Sequence, residues 1–117
     1  MASKKMVQKY RYTISRLHRA YRTLATRKGD AREGVRDAYL DDLHVLNRDD
    51  FPCEFQERWE EIRSHLNKRP PIIDRFGEYE EGSVQHTTRR MRNKTAQKIA
   101  IKIVNLSEEL EYQIKGD

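Results

Sequence analysis

Lys28-Gly29-Asp30-Ala31-Arg32-Glu33 is the stretch on which the fold turns. A glycine can take the left-handed conformation that ends one helix, and an aspartate after it can cap the next. Glu33 stands three residues beyond Asp30, the spacing of a capping box. Lys28 before the break and the two acids after it also suit the dipoles of a helix end and a helix start. The stretch therefore predicts two helices joined by a tight connection.

Working outward, Tyr10, Ile14, Leu17, Tyr21 and Leu24 recur every three or four residues and predict a first helix from about residue 4 to Lys28. A second helix over 31–46 would face the core with Val35, Tyr39, Leu43 and Leu46. After a turn at Asn47–Asp50, Pro52 opens a third helix to about Asn67, carrying Phe55, Trp59, Ile62 and Leu66. Arg69-Pro70-Pro71 ends it, because the residue before a proline is pushed out of the α region. Residues 70–82 read as an ordered loop pinned by Ile73 and Phe76, or as a short hairpin, with the loop preferred. Ser83 is the expected cap of a last helical stretch bearing Val84, Thr88, Met91, Thr95, Ile99, Ile103, Leu106, Leu110 and Ile114. Asn93 offers a second start within it. The expected fold is all-α: a single domain over 1–117, an antiparallel bundle of about four helices. Because the last stripe outruns the second and third helices, Leu106, Leu110 and Ile114 are expected to lack cover and to be oligomer contacts.

Charged residues are 37% and hydrophobic ones 36%, so apolar positions must be economically placed. That suits amphipathic helices, each burying one stripe, better than a sandwich with two buried faces. Cys53 is the only cysteine, which excludes an internal disulfide. Residues 1–28 hold no continuous apolar region of a secretion signal, and no stretch is apolar enough to cross a bilayer. The expected compartment is the cytoplasm, with no membrane partner.

The net charge of +5 hides a pattern. Residues 1–28 carry nine Lys or Arg and no acid, and residues 83–102 carry six and no acid, while 29–65 carry five bases against eleven acids. Two arrangements follow. The basic faces can pair with the acidic helices across the bundle, or they can remain free to neutralise phosphates. In the second case Lys9, Arg16, Arg19 and Arg22, with Arg89, Arg90, Arg92, Lys94 and Lys98, are the candidate nucleic-acid contacts.

Motifs for chemistry are sparse. His18, His44, His65 and His86 lie on four separate segments without metal-ligand spacing, so no metal and no cofactor is expected. Asp41-Asp42, Asp49-Asp50 and Glu60-Glu61 are neighbours, and adjacent acids on a helix diverge by about 100°. The glycines are isolated and form no phosphate loop.

Arg58 and His65, with six residues between them, form the one suggestive pair. The pair resembles the R-x4-6-H element of HEPN ribonucleases, in which arginine would steady the phosphorane charge and histidine would move the ribose proton. Trp59 stands where that family favours a polar residue, and Arg11 with His18 matches the same loose pattern. The resemblance covers the third helix alone.

The sequence thus reads first as a non-enzymatic helical interaction module with a protein partner or a second copy of itself. The alternative is a bundle binding RNA or single-stranded DNA through its basic faces. A HEPN-like ribonuclease using Arg58 and His65 is the remote third.

Overall fold

The computed structural model describes residues 4–116. Its elements run α1 (Lys4–Thr26), α2 (Ala31–Ala38), α3 (Cys53–Leu66), β1 (Ile72–Ile73), β2 (Tyr79–Glu81), α4 (Ser83–Arg89) and α5 (Asn93–Lys115). The described chain is mostly helical, with one small two-stranded sheet. It is elongated, 54 × 29 × 19 Å, because the 23-residue helices α1 and α5 span much of its length.

The predicted junction closes somewhat differently from its sequence reading. Asp30 caps α2 as expected, accepting from the backbone amides of Arg32 (3.0 Å) and Glu33 (3.3 Å). Gly29, however, does not take the left-handed conformation, since the positive-φ residues described are Gly77 and Gly116. The small size of another glycine matters more: a Cβ on Gly34 would fall 2.4 Å from Cδ of Arg27, so its hydrogen lets α2 close onto the end of α1. Arg27 is itself folded back, donating from Nη1 to the Leu24 carbonyl at 2.6 Å.

The second helix is not one regular rod over 31–46. After Ala38 it widens into a π turn, Tyr39–Leu43, closed by the His44 amide donating to the Tyr39 carbonyl at 2.8 Å. This turn buries Asp42 beside Arg16, 3.6 Å away, and keeps Tyr39 and Leu43 in the core. A 3-10 turn, Arg48–Asp50, then leads to Phe51, and Thr13 Oγ1 ties that turn to α1 by donating to the Asp50 carbonyl at 2.7 Å.

One continuous apolar cluster joins these elements. At its centre the Trp59 indole lies between Phe51 (ring centroids 5.1 Å, planes 23° apart) and Tyr39 (6.4 Å, 20°). The helical stripes of the sequence supply most of the rest, except that Thr95 is exposed and Tyr10 and Tyr21 are half-buried. Leu106, Leu110 and Ile114 are each 0% exposed. Their expected role as oligomer contacts needed an uncovered stripe, and that premise is corrected: α1 and α3 pack along α5 and enclose them.

Residues 70–82 form a hairpin rather than a pinned loop. Asp74 organises its turn, its Oδ1 accepting from the Phe76 amide at 2.8 Å and the Glu78 amide at 2.9 Å, while Gly77 sits at φ 82°. The register slips between Ile72, opposite Glu81, and Ile73, opposite Tyr79. Ile73 and Phe76 do not pin the segment, being 52% and 75% exposed. Polar ties hold it instead. Ser83 Oγ donates to the Arg69 carbonyl (2.6 Å), the Arg69 amide donates to Thr87 Oγ1 (2.9 Å), and His86 Nδ1 meets the Pro70 carbonyl (2.8 Å). Ser83 is therefore a tether within the helix, and Gly82 occupies the cap position.

The last stripe breaks where Asn93 offered a second start, but Asn93 does not cap α5. Its Oδ1 accepts from the Ala31 amide at 3.0 Å, satisfying one of the free donors at the start of α2. This bond joins the α1–α2 junction to the α4–α5 junction.

Candidate nucleic-acid interface

Each basic candidate was expected either to be neutralised across the bundle or to stay free, and the structure divides them. Arg16 is compensated: it sits 3.6 Å from the buried Asp42, and its guanidinium also stacks over Tyr12. Arg89 is compensated too, making three hydrogen bonds of 2.9–3.2 Å to the Glu81 carboxylate. That guanidinium holds Glu81 below the usual carboxylate pKa, so the pair stays charged and mutually satisfied. Lys102 bonds to Glu61 of α3, which is lowered for the same reason.

Lys9, Arg19, Arg22, Arg90, Arg92, Lys94 and Lys98 make no ion pair with a described carboxylate, and all seven are exposed. Along the first helix, Arg16 is thus the cation that meets a described carboxylate within ion-pair distance. Arg58 of α3 takes Glu109, Arg63 takes Glu60, and Glu61 takes Lys102 and His65.

Two grooves show how α1 and α5 sit. Val7, Arg11, Ile14, Ser15, His18, Arg19 and Arg22 meet Glu111 and Lys115 along one of about 390 Å³. Tyr21, Leu24, Ala25 and Arg27 meet Gln97, Ala100, Ile101, Val104 and Asn105 along a second of about 620 Å³. The start of α1 therefore lies beside the end of α5, and the end of α1 beside the start of α5: the two helices run in opposite directions. Arg27 falls beside the start of α5, where the Asn93–Ala31 bond ties the two junctions together, whereas Arg19 and Arg22 line the first groove beside Glu111 and Lys115. Asp30, the cap of α2, is neutralised by Arg32 through bonds of 2.8 and 3.0 Å, which hold its pKa low.

Sequence reasoning did not find the groove around Ile101. Ile101 is 58% exposed and lies off the buried stripe of Ile99 and Ile103, so its only signal was an isolated apolar residue on a polar face. Nor did it foresee that Ile73, Phe76 and Tyr79 would stand on the outer hairpin surface, the last two each 75% exposed.

The remaining candidates are dispersed. Arg58 lines a groove of about 640 Å³ with Glu54, Phe55, Glu108, Glu109, Tyr112 and Gln113, and it is ion-paired with Glu109. His65 does not border that groove, and its Nε2 lies 3.8 Å from Glu61. A phosphodiester beside Arg58 would face the three carboxylates of Glu54, Glu108 and Glu109. Among the described residues no three His, Cys, Asp or Glu side chains are grouped to hold a metal ion. No described helix is long and apolar enough to cross a membrane. Cys53 is exposed.

Compared with known proteins, the chain matches no family model, no curated protein and no solved structure.

Proposed function

We propose that this chain is a non-enzymatic antiparallel helical bundle that binds nucleic acid through its phosphates. The observation that carries the reading is the set of exposed cations without ion pairs on α1 and over residues 90–98, with the Asn93–Ala31 bond tying the junction after α1 to the start of α5. Cations left without protein carboxylates keep their full attraction for a polyanion, and binding then releases the counterions condensed on it. A purely packing role for the basic faces would have consumed these charges as it consumes Arg16, Arg89 and Lys102.

The test is anisotropy of labelled single-stranded RNA, double-stranded RNA and DNA over a salt series. Contact with about five phosphates of a single strand predicts a slope of roughly −3.5 for log K against log salt. Absence of binding at low salt would remove the proposal.

A second reading, an interaction module with a protein partner, is favoured by the hairpin. Ile73 and Tyr79 are cross-strand partners and share its outer face, with Phe76 at the turn. A chain that binds no nucleic acid at any salt would leave this surface as the principal one.

A further inference from the structure

The second groove between α1 and α5 differs in chemistry from the charged surface around it. Its walls are apolar: Tyr21, Leu24 and Ala25 on α1 face Ala100, Ile101 and Val104 on α5. Two amides, Gln97 and Asn105, stand eight residues apart along the α5 wall, and no carboxylate lines the groove. Arg27 borders it, and Lys94 and Lys98 precede Ile101 by seven and three residues, on the same outward face of α5. All three of these cations are exposed.

An apolar trough with amide groups along one wall and cations around it complements a particular ligand. A nucleobase has an apolar face, an edge of donors and acceptors, and a phosphate on either side. An amide side chain offers both a carbonyl acceptor and NH₂ donors, so it can meet a base edge in more than one orientation. Duplexes keep their base faces stacked inside and cannot use such a trough. Resting on the nucleic-acid reading above, we infer that this groove receives an unpaired base of a single strand, while Arg27, Lys94 and Lys98 hold the flanking phosphates.

Charge decides between this occupant and the other that an apolar groove can accept, an amphipathic helix of a partner protein. Arg27, just past the end of α1, borders the groove, and Lys94 and Lys98 stand about two turns and one turn before Ile101 on α5, matching a ligand with negative charge at every repeat. An acidic amphipathic peptide is the competitor to be tested.

The experiment uses the full chain, a labelled single-stranded oligoribonucleotide containing 2-aminopurine, and the duplex of the same sequence. The wild-type protein should favour the single strand and change the 2-aminopurine fluorescence on binding. Ile101→Ser, at an exposed position, should weaken single-strand binding roughly tenfold. It should also abolish the fluorescence change and leave duplex binding as it was. Gln97→Ala with Asn105→Ala provides an independent variant should Ile101→Ser shift the melting temperature.

Unchanged single-strand affinity and fluorescence in both variants, with the salt dependence intact, would overturn the groove assignment and leave phosphate binding standing. No binding of either nucleic acid by the wild type would overturn both. Capture of an acidic amphipathic peptide in place of RNA, lost in Ile101→Ser, would assign the groove to a protein partner instead.

Discussion

Trp59→Ala is expected to cost about 3–5 kcal/mol of folding stability, the range for emptying a core of a large aromatic side chain. Domains of ordinary stability hold only about 5–15 kcal/mol in total, so this loss is a large fraction of it. Trp59 is 0% exposed and stacks on both Phe51 and Tyr39, so its removal unsupports those two rings and the two turns that carry them. Trp59→Phe should cost much less, because it keeps a ring in the stack. It also removes the indole N–H, the one fully buried side-chain polar atom among the described residues that finds no partner. Urea denaturation followed by circular dichroism measures both variants. A loss below about 1 kcal/mol for Trp59→Ala would mean that the core is not centred on this ring.

The second large effect is on binding. Arg19→Glu with Arg22→Glu, and separately Arg90→Glu with Arg92→Glu, are each expected to weaken single-stranded RNA binding by at least about tenfold. Each pair should also flatten the salt slope by roughly 1.4, since each lost phosphate contact with a single strand removes about 0.7. All four residues are exposed and free of ion pairs with described carboxylates, so reversing them should spare the fold. The quadruple variant should lose binding by about a hundredfold or more if the pairs contact one strand independently. Arg16→Glu and Arg89→Glu make poor probes, because each would strand Asp42 or Glu81 without its partner. An effect from only one pair would confine the interface to one helix.

The parts of this fold legible in the sequence were those written in periodicity and capping. Val35, Trp59, Ile62, Leu66, Ile99 and Ile103 are buried where their spacing placed them, and Asp30 caps α2. What was not legible depended on bonds between distant segments. Asn93 has the composition of a cap, but it serves Ala31, sixty-two residues away. Ser83 likewise turns to the Arg69 carbonyl. The hairpin is held by Asp74 and Gly77 in a turn and by tethers to α4, so its apolar residues could face outward, contrary to the rule that apolar residues pin loops. The cover over Leu106, Leu110 and Ile114 comes from the packing of α1 and α3, which no stripe length records.

The candidate site was legible in sign but not in membership. Acid-free runs identified the basic segments. Which cations stay free depended on where each carboxylate landed: Asp42 reached Arg16 through the π turn, and Glu81 reached Arg89 through the hairpin. The apolar groove between α1 and α5 required the opposed directions of two helices that lie at opposite ends of the chain.

The claim most in need of test is that α1 and residues 90–98 form one phosphate-contacting surface. Backbone amide chemical shifts of the ¹⁵N-labelled protein, followed while a short single-stranded RNA is added, test it directly. Amides from Arg19 to Lys28 and from Arg90 to Ile101 should move together along one binding isotherm, while those of the hairpin and of α3 stay in place. Shifts confined to the hairpin, or to just one of the two basic segments, would contradict it.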